Sequence, residues 1–204
     1  MLFTFALGAT LEEGSETLAW LESQGHQGVL IPAPDRLRLI VLTPISPDIT
    51  ATFLPGVEKI TPLFTPFKLA SREGCPVDTI VKVTDVAIGG KQPVIIAGPC
   101  AVENLDQTRR TAEIVKRAGA TILRGGAYKP RTSPYSFQGL GEEGLEILAQ
   151  VGTEFQLPIV TEVVSVDDLP VVSSYAAMLQ IGARNMQNFA LLTAAGETGL
   201  PILL

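Results

Sequence analysis

Short apolar runs, separated by capped amphipathic stretches, organise residues 1–65. Leu2–Leu7 is apolar throughout and reads as a strand. Thr10, with Glu13 three residues on, forms a capping box that opens a helix carrying Leu11, Leu18 and Leu21 and stopping at Gly25. Glu12, Glu13, Glu16 and Glu22 fall on its expected solvent face. Val29–Pro32 and Leu37–Leu42 read as strands, with Pro34-Asp35 as the turn between them. Ser46-Pro47-Asp48 places an N-cap before a proline at the first helical position and predicts a short helix that stops before Pro55-Gly56. Val57–Leu63 closes the series as a strand. The order β-α-β-β-α-β is the ferredoxin-like split unit.

Residues 66–92 carry Pro66, Gly74 and Pro76 without periodicity and read as a linker; Thr79–Val83 and Asp85–Ile88 form a small hairpin before Gly89-Gly90. From Pro93 the rhythm changes to strands alternating with helices. Val94–Ala97, Thr121–Leu123, Pro158–Thr161, Met178–Ile181 and Pro201–Leu204 are the apolar runs, and helices are expected near 104–118, 141–155, 167–175 and 188–197. Repeated β-α units imply a parallel sheet with crossover helices. Polar groups follow the strand ends: Cys100, Arg124, Glu162 and Arg184. That placement suits a TIM barrel and an open doubly wound sheet equally well. A complete TIM barrel takes about 250 residues. Residues 93–204 have room for about five of its eight strands and end on an apolar strand, so the sequence reads as the front portion of a longer protein.

Composition narrows the function classes. The chain has 204 residues, 46% hydrophobic and 18% charged, which is enough to bury a core and excludes a disordered tail. Fifteen Lys+Arg against 21 Asp+Glu give a net charge of −6, which argues against a nonspecific nucleic-acid binder. Two cysteines cannot build a disulfide framework and suit a reducing compartment. No apolar run reaches the ~18 residues of a membrane span. The apolar N-terminus has no basic residue before Arg36, so a signal peptide is not expected. The reading is a cytoplasmic globular protein without a membrane or nucleic-acid partner.

The stretch Leu123-Arg-Gly-Gly-Ala-Tyr-Lys-Pro-Arg-Thr-Ser-Pro-Tyr135 concentrates Arg124, Lys129 and Arg131 in an acidic chain. Gly125 and Gly126 let the backbone approach a ligand, and Thr132 and Ser133 add hydroxyls. Arg supplies a planar fork for carboxylate or phosphate, and Lys a point charge. The chemistry suits a small polyanion; the competing reading is a solvated loop with ordinary surface ion pairs. Ile181-Gly-Ala-Arg-Asn-Met-Gln-Asn188 repeats the character at a later strand end, and two such arginines point at one shared anion site. Cys100 by itself reads more readily as a small hydrophobe than as a ligand. His26 reads as surface, Cys75 as bland, and Asp167-Asp168 as the first turn of a helix.

Taken together, Ala97-Gly-Pro-Cys-Ala-Val-Glu103, Leu123–Gly141 and Gln180-Ile-Gly-Ala-Arg-Asn-Met-Gln-Asn-Phe189 resemble 3-deoxy-D-arabino-heptulosonate 7-phosphate (DAHP) synthase. The N-terminal module resembles the ferredoxin-like regulatory domain of one branch of that family. The sister enzyme that makes 3-deoxy-D-manno-octulosonate 8-phosphate shares the Gly-Pro-Cys turn but lacks Lys-Pro-Arg-Thr, so Lys129–Thr132 decides between them. The resemblance implies a (β/α)₈ barrel that condenses phosphoenolpyruvate with erythrose 4-phosphate, the first step of the shikimate pathway to the aromatic amino acids. It implies a divalent metal (Mn, Fe, Co or Zn) with Cys100 as one ligand. It further implies Arg124, Lys129, Arg184 and the backbone at Ala183 around phosphoenolpyruvate, with Lys129 and Arg124 catalytic, and Pro130, Arg131 and Thr132 around erythrose 4-phosphate. Feedback by tyrosine or phenylalanine through residues 1–65, and a homo-oligomer (a tetramer) when complete, follow from the same resemblance.

The family continues with a Lys-Arg-Gly segment, the His, Glu and Asp of the metal site and a further Arg, none of which follows here. Ala101 also stands where Ser is common. The expectation is therefore a synthase represented by its N-terminal portion, inactive and poorly folding by itself. The alternative is a non-catalytic remnant that retains an effector- or partner-binding module.

Overall fold

The computed structural model describes residues 1–33, 35–45 and 54–204, and the chain divides into two compact units, Met1–Thr79 and Ile80–Leu204. The helix expected from Ser46-Pro47-Asp48 and Pro34 of the expected turn lie outside the described residues.

In the first unit the elements are β1 (Leu2–Phe5), α1 (Leu11–Ser23), β2 (Gly28–Pro32), β3 (Leu37–Val41) and β4 (Val57–Thr61). The sheet order is β2-β3-β1-β4 with every pair antiparallel, the arrangement of a ferredoxin-like split unit. Period-two alternation turns Phe3, Phe5, Leu37, Leu39 and Val41 to one face, where they form a core with Leu21 of α1. The capping box at Thr10 forms as expected: Glu13 N–H donates to Thr10 Oγ1 (3.2 Å), and Thr10 N–H donates to Glu13 Oε2 (2.7 Å). Glu12, Glu16 and Glu22 are exposed. Leu11 departs from expectation. It is 60% exposed, because the buried stripe of α1 is Gly14, Thr17 and Leu21, and contact with the sheet begins one turn later.

The opposite face of that sheet is also covered. Ile40 is fully buried, Gly74 packs against it, and Lys68 Nζ donates to the carbonyls of Val41 (3.2 Å) and Leu42 (2.8 Å). On the same face Arg38 is buried and makes a two-pronged pair with Asp35, at 2.8 and 2.5 Å.

The second unit opens with a hairpin, β5 (Val81–Val83) and β6 (Val86–Ile88), as the turn signals suggested. Five parallel strands follow: β7 (Ile96–Ala97), β8 (Ile122–Arg124), β9 (Ile159–Glu162), β10 (Met178–Gln180) and β11 (Ile202–Leu203), ordered β11-β10-β9-β8-β7. Between them run α2 (Leu105–Arg117), α3 (Glu142–Phe155), α4 (Leu169–Tyr175) and α5 (Phe189–Glu197). Asn104 and Asn188 cap α2 and α5, accepting from Gln107 N–H (2.8 Å) and Leu191 N–H (3.2 Å).

Alternation along these strands separates two cores. Leu123, Ile159 and Leu179 point outward and pack with Leu145, Leu148, Val172 and Leu191 of the helices. Ile122, Val160 and Met178 point inward and pack with Val83, Val86 and Ile88 of the hairpin. The helices pack on one face only, so the sheet curls as part of a TIM barrel and is not an open doubly wound sheet.

The Asp35–Arg38 pair gives a pH-dependent term. Hydrogen bonding from Arg38 is the main reason the Asp35 carboxyl is lowered from 3.8 to about 2. A lowered folded-state pKa stabilises above the unfolded value and is lost as pH falls through the folded value. The urea midpoint of the protein should therefore exceed that of Asp35→Asn by a constant margin above pH 3.8, and the margin should close between 3.8 and about 2. A margin unchanged at pH 2 contradicts the assignment.

Candidate anion-binding site

Inward-facing positions change character along each strand. Ile122, Val160 and Met178 are buried and apolar, and two positions further along, on the same side of each strand, stand Arg124, Glu162 and Gln180. A polar layer thus sits on an apolar one at the C-terminal strand ends, with Gln180 in register with Glu162.

The turn after β7 reaches over this layer. The Gly98 backbone approaches β8 so closely that a Cβ there would lie 1.9 Å from the Arg124 carbonyl oxygen. Only glycine allows that approach, which brings the Pro99 and Cys100 carbonyls to the Arg124 side chain. Arg124 Nη1 donates to Cys100 O (2.9 Å) and Pro99 O (3.3 Å), and Nε donates to Gln180 Oε1 (3.1 Å). Lys129 Nζ donates to the same Cys100 carbonyl at 2.7 Å and lies 3.6 Å from Cys100 Sγ. The structure therefore brings Arg124, Lys129 and Cys100 together.

Lys129 is 8% exposed, yet among the described residues no carboxylate lies within 4.0 Å of Lys129, Arg124, Arg131 or Arg184. The reading of this stretch as a loop of ordinary surface ion pairs does not hold. Lys129 is placed by backbone pairing: its N–H donates to Gln138 O (2.8 Å), Tyr128 bridges Gly139, and Gly141 N–H donates to Ala127 O (3.1 Å). Burial, with the negative charges of Asp168 and Glu142, holds the Tyr128 phenol above its ordinary pKa and hence neutral.

Beyond that pairing the loop opens outward. Pro130 is half-buried, Arg131 and Thr132 are exposed, and Tyr135 at the tip is 97% exposed. Ala183 and Arg184 are exposed in a short 3₁₀ turn after β10. The Glu162 carboxylate occupies the space beside Gly182, where a Cβ would come within 2.0 Å of Oε1. In the sequence Gln180 stands inside the Gln180–Phe189 motif with no role of its own; its signal is the shared parity of the polar residues that end β8, β9 and β10.

The remaining candidates are structural. His26 Nδ1 meets Thr43 Oγ1 at 3.2 Å, Cys75 donates to the Leu69 carbonyl, and Asp168 precedes α4 with its carboxylate accepting from Ser165 Oγ. A cleft of about 370 Å³ at the strand starts, lined by Asp85, Gln156, Pro158 and Tyr175 among others, contains no cationic side chain. Cys100 is exposed and offers one sulfur donor, but no group of three or more His, Cys, Asp or Glu that could hold a metal occurs among the described residues. These residues alone do not make a metal centre.

The DAHP synthetase I family matches residues 72–204. The chain is 51% identical over 151 residues to the phospho-2-dehydro-3-deoxyheptonate aldolase of Thermotoga maritima, with 74% of this chain and 45% of that protein covered. It is 34% identical over 128 residues to the 2-dehydro-3-deoxyphosphooctonate aldolase of Syntrophobacter fumaroxidans, with 59% and 44% covered. The crystal structure of the Thermotoga maritima phospho-2-dehydro-3-deoxyheptonate aldolase (DAHP synthase) aligns with a TM-score of 0.66 at 40% identity, over 100% of this chain and 60% of that one. A truncated form of the Thermotoga maritima 3-deoxy-D-arabino-heptulosonate 7-phosphate synthase aligns with a TM-score of 0.60 at 45% identity, over 68% and 49%. The chain spans about half the length of the curated relatives it matches.

The approach at Gly98 has a measurable consequence. Gly98→Ala should destabilise the second unit by about 3 kcal/mol, because backbone must move to admit the methyl group. Urea unfolding measures this; a variant within about 0.5 kcal/mol of the parent contradicts the close approach.

Proposed function

The chain belongs to the DAHP synthetase I family, and on that premise we propose that it serves as a 3-deoxy-7-phosphoheptulonate synthase. The proposed reaction condenses phosphoenolpyruvate with erythrose 4-phosphate: C3 of phosphoenolpyruvate attacks the aldehyde carbon, water adds at C2, and phosphate leaves. Arg124, Lys129, Arg184 and the Ala183 backbone hold the anionic groups of phosphoenolpyruvate. Pro130, Arg131 and Thr132 receive erythrose 4-phosphate. We read the whole protein as a cytoplasmic homo-oligomer.

The observation that carries this reading is the uncompensated charge at Lys129. An ammonium group at 8% exposure, hydrogen-bonded to a backbone carbonyl and without a carboxylate among the described residues, suits an anionic ligand that supplies the missing charge. Arg124 beside it keeps its Nη2 N–H groups and its positive charge for a carboxylate or phosphate. The preference for a heptulosonate over an octulosonate product rests on Lys129-Pro-Arg-Thr132 and on 51% identity to an enzyme of the first kind against 34% to 38% to those of the second. A divalent ion, where bound, would polarise the aldehyde as a Lewis acid, and Cys100 would be one donor to it. Cys100 is a single ligand, and among the described residues it has no companions to complete such a site.

Lys129→Ala should lower kcat/KM of the whole protein by roughly 30- to 5,000-fold, the equivalent of about 2–5 kcal/mol for a charge-assisted contact in a desolvated site, and Arg131→Ala, at an exposed position, should lower it less. Parent-like kcat/KM in Lys129→Ala contradicts the site assignment. The first unit is proposed to bind tyrosine or phenylalanine as a feedback effector, with a coupling of about 1–3 kcal/mol. Removing the residues before Phe67 should leave turnover intact and abolish inhibition; inhibition that survives the deletion rules out that role.

A further inference from the structure

Arg124 donates three of its hydrogen bonds to protein, and all three acceptors are neutral. Nη1 takes the carbonyls of Pro99 and Cys100, and Nε takes the carboxamide oxygen of Gln180 at 3.1 Å. The two N–H groups of Nη2 have no protein partner among the described residues, so the guanidinium is anchored at Nε and Nη1 and keeps the Nη2 N–H groups between them free. Gln180 reaches it from β10 because period-two alternation puts both side chains in the inward polar layer. A carboxylate is present in that layer, Glu162, the register partner of Gln180, yet it lies against Gly182 and not within 4.0 Å of Arg124.

From this geometry we propose that Gln180 is a positioning residue for Arg124: its neutral carboxamide fixes the guanidinium without neutralising it, which leaves the charge and the Nη2 N–H groups for the anionic group of phosphoenolpyruvate. The inference rests on the reading of Arg124 as a phosphoenolpyruvate ligand. Glutamine is suited to the position for two separable reasons. Its oxygen accepts from Nε, which a hydrocarbon of equal size cannot do. Its amide carries no charge, whereas the isosteric glutamate would accept the same bond and compete with the substrate for the same cation. A merely structural tether has no need of the second property.

Three variants of the full chain separate these roles, with phosphoenolpyruvate titrated calorimetrically and thermal melting followed in parallel. Gln180→Glu keeps the acceptor and adds the charge; it should bind phosphoenolpyruvate more than tenfold weaker with a melting temperature close to the parent's. Gln180→Met keeps the bulk and loses the acceptor; it should bind about three- to tenfold weaker. Arg124→Gln removes the ligand itself. If Arg124→Gln binds phosphoenolpyruvate like the parent, the substrate assignment of Arg124 fails. If Arg124→Gln loses binding while both Gln180 variants stay within twofold of the parent, positioning by Gln180 is overturned. Parent-like binding in Gln180→Glu alone overturns the role of the neutral charge. Should Gln180→Glu not fold, Gln180→Met decides the positioning role.

Discussion

The carbonyl oxygen of Cys100 accepts from both Arg124 and Lys129, at 2.9 and 2.7 Å, and the other contacts of the site are arranged around that shared acceptor. Two cations converging on one neutral atom repel each other, and the lysine is nearly removed from water. A chain selected only for stability would place a carboxylate between them. Here the acidic neighbour in the same layer, Glu162, is turned to Gly182, and Gln180 meets the arginine instead. The local cost is tolerated because the surroundings over-determine the geometry, as is usual where stability and function compete.

That over-determination comes from the barrel architecture. One layer below the polar groups, Ile122, Val160 and Met178 pack with the hairpin residue Val83, and each is at most 2% exposed. On the outer face Leu123 and Leu179 are fixed by the helices. A side chain on a strand held from both faces has little freedom, so Arg124 and Gln180 are set by rigid elements and not by loops. The segment after β8 divides the work differently. Its base is tied by pairing of Ala127, Tyr128 and Lys129 with residues 138–141, which places the lysine, while Arg131 and Thr132 remain on the exposed part.

Most of this architecture was legible because it is encoded locally. The Thr10 capping box and the short apolar runs each mark an element boundary through positions within a few residues of one another. What escaped depends on contacts between distant positions. Leu11 has the spacing of a core residue, but whether it meets the sheet depends on where α1 crosses it, and the crossing begins at Gly14. Gln180 was passed over because a three-residue strand carries too little alternation to reveal its inward face. Its bond to Arg124 spans 56 positions. The sequence presents Cys100 as a thiol, whereas its carbonyl is the atom that gathers the cations.

The central claim is that this uncompensated pair of cations is a phosphoenolpyruvate site, and an experimental structure of the protein with phosphoenolpyruvate bound tests it most directly. The ligand's carboxylate or phosphate oxygens should lie within hydrogen-bonding distance of Lys129 Nζ and the free Nη2 N–H groups of Arg124, with Nε still on Gln180. Phosphoenolpyruvate seated elsewhere, or Arg124 turned into an ion pair with Glu162 while the ligand is bound, would contradict it.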